Sequence, residues 1–211
     1  MKLNKKWMII TTLICLLPIF AGLAVYGKLP EQVPTHFGFD GTPNGWSSKA
    51  VAVFGMPCFM AAINLLLYFG LNADPKKKNM GEAMVKISLG VVPVLSVLMS
   101  GMTLANALGY NTNIETVIPL LMGVLFILIG NYLPKTKQSY TMGIKLPWTL
   151  NSEENWNRTH RMAGFLWVAG GVVFVAVSLL KIWNVWIFAG ILAVMVLIPT
   201  VYSYLLYKKG I

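Results

Sequence analysis

The stretch "WMIITTLICLLPIFAGLAVYG", residues 7–27, contains no acidic or basic residue and decides the class of fold. Five further stretches share this property: residues 50–73, 87–114, 116–134, 162–180 and 182–207. Each has at least 19 residues, and an α-helix needs about 20 apolar residues to cross a bilayer. Because backbone polar groups in hydrocarbon must be satisfied within the segment, we predict six transmembrane helices in an all-α polytopic membrane protein.

Composition and charge agree with this class. Of the 211 residues, 56% are hydrophobic and 11% are charged, whereas soluble domains carry about 25% charged residues. With a cytoplasmic N-terminus, the outer segments hold three of the 17 Lys and Arg residues, namely Lys28, Lys49 and Lys181, and the inner segments hold the other 14. This bias follows the positive-inside rule, so both termini are predicted to be cytoplasmic.

The net charge of +10 does not indicate nucleic-acid binding. The basic excess fits the topology and the anionic lipid headgroups of the bilayer, and the chain has no basic patch interleaved with aromatic residues. The first apolar stretch is longer than the core of a typical signal peptide, which favours an uncleaved anchor. A cleaved signal peptide, the alternative, would leave the remaining topology unchanged.

The predicted extracellular loop after the first helix, residues 28–49, is rich in turn-forming and aromatic residues. Residues 42–45, "TPNG", are a turn signal, so "VPTHFGF" and "GWSS" are expected to form a short hairpin-like cap. Two interpretations of its rings stay open. They form an aromatic belt at the membrane interface, or they recognise an apolar or amphipathic extracellular molecule. The four rings are those of His36, Phe37, Phe39 and Trp46.

The predicted cytoplasmic segment, residues 134–161, ends in the start of a helix that runs into the fifth span. Asn151 is expected to be the N-cap, followed by an acidic first turn that suits the helix dipole. Glu154 and Arg158 are four residues apart in the order that favours an ion pair.

This segment is predicted to be a docking or structural surface. Trp148 and Trp156 are expected at headgroup depth, where an indole buries its ring and donates through its N–H. Glu153, Asn157 and His160 are then expected to face a partner; the alternative is that the segment only positions the helix. The candidate relay residues are Lys145, Pro147, Trp148, Glu153, Trp156, Arg158, His160 and Arg161.

The sequence gives little support for an enzyme. The two histidines are predicted on opposite sides of the membrane, and no HExxH, GxSxG or phosphate-binding glycine loop is present. Glu153 and Glu154 are adjacent, so they point about 100° apart on a helix and do not converge. We therefore predict no catalysis, no cofactor and no metal.

A carrier or channel is the alternative from another class. Ion-coupled carriers place ionisable groups inside the membrane, and the six stretches contain no acidic or basic residue. Asn64, Asn106 and Asn131 are the intramembrane polar candidates. Hydrogen bonding between helices is the commoner use of such residues, while lining a path is the other.

Residues 130–171, "GNYLPKTKQSYTMGIKLPWTLNSEENWNRTHRMAGFLWVAGG", resemble the signature of the SdpI family of bacterial immunity proteins. The string "LPEQVPTHFGFDGTPNGWSSKA" resembles the domain of unknown function that usually precedes it. The resemblance covers nearly the whole chain and suggests an N-terminal two-helix unit at residues 1–86 and an SdpI-like four-helix unit at residues 87–211. One departure is that Lys145 and Leu146 stand where family members often have Arg and Thr.

The resemblance implies a function and partners. It implies a protein of the bacterial cell membrane that protects its producer from a secreted antimicrobial peptide toxin. It also implies, as a weaker expectation, that the toxin-bound protein holds a cytoplasmic transcriptional repressor at the membrane and so transmits a signal.

Overall fold

A computed structural model describes residues 4–211, which form mainly helices. The six long helices are α1 (Lys5–Val25), α2 (Met56–Ala73), α3 (Glu82–Ala107), α4 (Ile114–Tyr132), α6 (Glu153–Leu179) and α7 (Val185–Lys208), and a short helix α5 (Pro147–Asn151) precedes α6. Each long helix is long and apolar enough to cross a membrane, which confirms the fold class. The side of the membrane on which the termini lie stays a prediction, and Lys2, one of the basic residues assigned to the inner side, lies outside the described residues.

The chain forms two compact units. One comprises Met1–Ala73 and Val85–Ile114, and the other comprises Asp74–Met84 and Glu115–Ile211. The first unit therefore contains α1, α2, most of α3 and the loop after α1. The second contains α4 to α7 together with the loop that joins α2 to α3. The division at residues 86 and 87 describes family regions and stays a prediction.

The loop after α1 contains the expected hairpin. Strand β1 (Gln32–Phe37) pairs antiparallel with β2 (Pro43–Ser48). The expected turn at residues 42–45 is wrong, because the last three of these residues belong to β2. The chain reverses over residues 38–42, where the amide of Gly38 donates to the carbonyl of Thr42 at 2.8 Å.

Asp40 explains the position of this turn. Its carboxylate accepts from the amide and the hydroxyl of Thr42 at 3.0 and 2.7 Å, and Gly41 takes the positive φ of 74° that closes the reversal. The side-chain and backbone hydrogen bonds from Thr42 hold the pKa of Asp40 below its ordinary value. Side chain–backbone bonding of this kind competes with the Pro-Asn-Gly signal beside it.

A proline kink in α3 is bridged by a neighbouring helix. Pro93 leaves the carbonyl of Leu89 without its intrahelical donor. The side-chain nitrogen of Asn64 lies 3.2 Å from that carbonyl when the Asn64 oxygen accepts from the hydroxyls of Thr11 and Thr12, each at 2.9 Å. The freed carbonyl selects this amide orientation, because a donor in hydrocarbon has no water to replace it. Asn64 on α2 therefore joins α1 and α3.

Similar bridges occur at three other prolines. In each, a side chain of another helix donates to a carbonyl three or four residues before the proline. The pairs are Ser96 with Cys15 near Pro18 (2.8 Å), Ser178 with Thr116 near Pro119 (2.6 Å), and Trp167 with Met195 near Pro199 (3.2 Å). Membrane helices tolerate proline when neighbours satisfy the freed carbonyls in this way.

In the second unit, α4 and α6 touch through their backbones. A Cβ added at Gly123 would lie 2.7 Å from the carbonyl of Gly171, and one added at Gly130 would lie 2.9 Å from the carbonyl of Gly164. Small residues allow this close approach between membrane helices. The contact fixes the two helices that bracket the segment in which the candidate site lies.

Candidate functional site

The candidate site is the part of the second unit where two loop segments are fastened together. We call residues 74–80 and residues 136–160 the clasp, because hydrogen bonds join the first segment to the second. The first segment follows α2, and the other runs from the end of α4 through α5 into α6.

Asp74 is the centre of the clasp and is 4% exposed. One carboxylate oxygen accepts from the amide of Lys76 at 2.7 Å. The other accepts from the hydroxyl of Ser139 (2.8 Å), the amide of Tyr140 (2.9 Å), and the amide and hydroxyl of Thr141 (both 2.8 Å). Five donors therefore converge on one carboxylate.

The charge of Asp74 is maintained by these donors. Burial raises the pKa of the carboxyl, but the hydrogen bonds from Ser139, Thr141 and the Lys76 backbone outweigh it and set the pKa below its ordinary value. The sequence analysis used Asp74 only as the end of a charge-free stretch. Its isolation, as one acidic residue before "PKKK", is the signal that could have identified it.

Gln138 makes a second set of connections across the clasp. Its side-chain nitrogen donates to the carbonyls of Thr149 and Leu150 at 2.8 and 3.1 Å. Its side-chain oxygen accepts from the ammonium of Lys76 at 2.6 Å, and its backbone carbonyl accepts from Asn79 at 3.0 Å. The loop after α2 is therefore bonded to the segment that leads into α5.

His160 and Trp156 lie inside the clasp without exposed surface. Their rings stack with centroids 3.9 Å apart, and the Trp156 indole donates to the carbonyl of Thr136 at 2.6 Å. The amide of Ile144 donates to Nε2 of His160, and Nδ1 lies 2.8 Å from the Trp156 carbonyl. Nδ1 therefore carries the proton, and the ring is a neutral tautomer held at both nitrogens.

Asn155 joins the start of α6 to the end of α7. Its side-chain nitrogen donates to the carbonyls of Ser203 and Ile211 at 3.0 and 3.1 Å. Its oxygen accepts from the hydroxyls of Thr159 and Ser203 at 3.1 and 2.7 Å. The sequence analysis missed Asn155 and Thr159, although their four-residue spacing repeats that of Trp156 and His160.

The first turns of α6 consequently have a buried face and an exposed face, and the predicted relay residues are divided between them. Trp156 and His160 belong to the buried face, with Asn155 and Thr159. The exposed residues are Glu153, Glu154, Asn157, Arg158 and Arg161. A partner that approaches this conformation therefore meets charged and amide groups and does not meet His160.

Two local predictions for α6 have different outcomes. The ion pair of Glu154 with Arg158 is confirmed, but both groups are exposed, so it adds little stability. Asn151 as N-cap is wrong: the cap is Ser152, whose side chain accepts from the amide of Asn155 at 3.2 Å. Pro147 starts a separate short helix that absorbs Asn151 and ends just before the new cap.

The remaining relay residues lie around α5. Lys145 is exposed and donates to a carbonyl of its own segment at 3.2 Å. Pro147 is exposed and begins the helix, where its fixed φ is favourable. Trp148 packs against Tyr204 and Tyr207 of α7, with ring centroids 5.5 and 6.1 Å apart.

In the first unit, the hairpin presents most of its predicted rings outward. Trp46 is 55% exposed, Phe39 is 45% exposed and His36 is exposed, whereas Phe37 is half-buried. The imidazole of His36 lies within hydrogen-bond distance of the Asn44 side chain.

The hairpin has a buried base. Val33 is fully buried among Leu29, Ala52, Val53 and Leu104, residues of the chain on both sides of the hairpin and of α3. This base fixes the strands while the outward rings stay accessible.

The three candidate asparagines have different surroundings. Asn64 is fully buried and occupied at the α3 kink. Asn106 is half-buried near the end of α3, and Asn131 is exposed near the end of α4. The environment of Asn64 is that of an interhelical bridge.

Fold and site together define the class: this is a multi-pass protein of the cell membrane. Residues 135–203 match the SdpI/YfhL protein family, and residues 13–61 match a domain of unknown function, DUF1648. The chain therefore contains an SdpI-family region preceded by a DUF1648 region, and the resemblance noted in the sequence is confirmed. It is 28% identical to immunity protein SdpI of Bacillus subtilis (strain 168) over 202 residues, covering 95% of this chain and 96% of the relative. No solved structure matches the chain.

Proposed function

We propose that this protein is a non-enzymatic membrane immunity protein that protects its producer from a secreted antimicrobial peptide. The observation that carries the proposal is the similarity to immunity protein SdpI along 95% of the chain, which includes both the hairpin and the clasp. The proposal places both termini in the cytoplasm, the hairpin outside and the clasp inside, in accordance with the positive-inside rule.

In this proposal the hairpin recognises the toxin. Three features support it: exposed aromatic rings, a buried base that holds them in place, and a position outside the membrane. Aromatic side chains commonly dominate binding surfaces, and a rigid scaffold reduces the entropy lost on binding. Trp46, opposite Pro34 in the strand register, is the most exposed ring of the hairpin.

Replacing Trp46 with alanine is expected to reduce protection by about tenfold or more, since a central aromatic contact contributes roughly 2 kcal/mol. The measurement is the toxin concentration that halves survival of a sensitive strain expressing each variant. Membrane abundance is measured in the same cells. Little change in abundance is expected, because the Trp46 ring is 55% exposed.

Trp186→Ala is the matched control. Trp186 is 82% exposed at the start of α7 and is predicted on the same side of the membrane. It should leave protection unchanged. Equal protection by the Trp46 and Trp186 variants at equal abundance would remove the hairpin from the mechanism.

A second function, signal relay to a cytoplasmic repressor, is proposed for the exposed face of α6. The supporting observation is the separation of faces, which leaves Glu153, Asn157 and Arg161 exposed within an otherwise bonded clasp. Their charged and amide groups suit a polar, reversible contact. His160 is excluded from direct docking because it has no exposed surface.

Glu153→Ala and Arg158→Ala are expected to keep abundance and protection while reducing toxin-dependent induction of a reporter at least tenfold. His160→Ala serves as the comparison, and it should lower abundance, protection and induction together, because it removes a stacked and doubly bonded ring. Quantifying all three properties in the same strains distinguishes the roles. If induction follows abundance in the Glu153 and Arg158 variants, the face is structural.

The alternative of a small carrier or channel has weaker support. Asn64, the most deeply buried of its candidate residues, is engaged in hydrogen bonds at the α3 kink. Asn106 and Asn131 differ from it in exposure. An increase in transport of a labelled solute by the purified protein in vesicles would favour this alternative.

A further inference from the structure

A cavity of about 160 Å³ lies in the second unit, between the start of α3 and the end of α4. Its apolar wall includes Met80, Met84 and Met142. Lys135 and Lys137 also line it, and both are exposed. The cavity thus combines an apolar interior with a basic rim.

The position of the cavity corresponds to the edge of a bilayer. The long apolar run of α3 begins at Glu82, and that of α4 ends at Tyr132, so the rim lies where helices leave hydrocarbon and meet lipid headgroups. The predicted topology places this edge in the cytoplasmic leaflet. Anionic phospholipids of that leaflet attract basic segments close to the membrane.

The charges around the cavity are uncompensated at the rim. Among the described residues that line it, two are lysines and none is acidic. The nearby Asp74 carboxylate is buried and occupied by five donors, and Glu82, exposed at the start of α3, does not line the cavity. The ammonium of Lys135 lies 5.0 Å from the centroid of the Tyr132 ring, which holds it at the rim.

We propose that this cavity binds an anionic phospholipid, with the phosphate between Lys135 and Lys137 and the start of an acyl chain among the methionines. A water-sized group occupies about 30 Å³, so the volume suits roughly five methylene-sized groups. It is too small for a peptide helix, whose diameter is about 10 Å. Methionine adapts its shape to an irregular apolar occupant. The proposal does not depend on immunity or on signalling.

The test uses the purified full-length protein in a neutral detergent. Lipid binding is measured by native mass spectrometry, and the thermal unfolding midpoint is measured with phosphatidylglycerol, with phosphatidylcholine of the same acyl chains, and with inorganic phosphate alone. Because each basic residue near an anionic surface contributes about a fivefold factor, phosphatidylglycerol is expected to bind about twentyfold more tightly than phosphatidylcholine. Phosphate alone should not raise the midpoint.

Two variants locate the site. Lys135→Gln combined with Lys137→Gln should abolish most of the preference for phosphatidylglycerol. Lys208→Gln combined with Lys209→Gln, which removes an equal charge at the end of α7, should retain it. Gly81→Leu should block the acyl part without a clash, since a Cβ at Gly81 meets no atom within 4 Å.

Gly101→Leu is the control for the cavity-filling variant, because a Cβ at Gly101 also meets no atom within 4 Å and Gly101 does not line the cavity. Equal binding of the two lipids would overturn the proposal. So would stabilisation by phosphate alone, or an equal loss of preference in the two double-lysine variants.

Discussion

Replacing Asp74 with alanine is expected to lower the free energy of unfolding by about 4 kcal/mol. The substitution removes the acceptor for Ser139, Tyr140, Thr141 and the Lys76 amide while leaving these donors in the clasp. Each buried donor without an acceptor costs about 1–3 kcal/mol, and water that enters the gap reduces the sum. The measurement is denaturant unfolding of the purified protein in detergent, together with abundance in membranes.

Asp40→Ala is the matched control, because Asp40 is also an acceptor in a loop but lies exposed in the hairpin turn. It should leave global stability nearly unchanged. If both aspartate variants unfold at the same denaturant concentration as the parent protein, the clasp does not depend on Asp74.

The Asp74 contribution should also depend on pH in a defined direction. Its folded pKa lies below the ordinary value, so the stabilisation is complete above an unfolded pKa of about 3.9 and is lost as the pH falls through the lower folded value. The stability difference between the parent protein and Asp74→Ala should therefore be larger at about pH 7 than at about pH 3. A difference that grows on acidification would contradict this assignment.

Replacing Gly143 with alanine is expected to lower the free energy of unfolding by about 3 kcal/mol or more. Gly143 has a φ of 100°, and an added Cβ would lie 2.5 Å from Nε2 of His160 and 2.7 Å from the Trp156 ring. The methyl group would displace the imidazole from the Ile144 amide or part the stacked rings. Loss of protection should accompany the loss of stability, because the clasp would no longer close.

Gly109→Ala separates the two causes of this effect. Gly109 has a φ of 87°, but an added Cβ would meet no atom within 4 Å. Its variant therefore reports backbone strain alone, about 1–2 kcal/mol. Near-ultraviolet circular dichroism of the tryptophans should change in the Gly143 variant and stay constant in the Gly109 variant. Equal destabilisation by both would show that the contact with His160 and Trp156 is unimportant.

The hairpin shows how far local sequence signals reach. Alternation and turn residues were sufficient to predict two paired strands in residues 32–48. They did not locate the reversal, because the Asp40 side chain competes with the Pro-Asn-Gly signal through its bonds to Thr42. Both candidate turns are local, and the choice depends on the cross-strand register that Trp46 and Pro34 share.

The clasp shows where local signals end. The spacing of Glu154 and Arg158 was sufficient to predict their ion pair, because both residues belong to one helix. The burial of His160 could not be predicted in this way. A polar residue at a helix start suits solvent as well as a bonded interior, and the partners Ile144 and Gly143 come from a different part of the segment.

The sequence by itself determined the class of this protein and the number of its spans. Charge-free runs of transmembrane length have one stable conformation in a bilayer, since the backbone must bond within each helix. The tertiary structure decided which polar residues are available and which are consumed. Asp74 becomes the centre of the clasp, and Asn64 becomes a bridge at a proline kink, through donors and acceptors more than 20 residues away along the chain. A hydrogen bond between distant segments leaves no periodic trace in a single sequence, so its partners became visible only once the helices were packed.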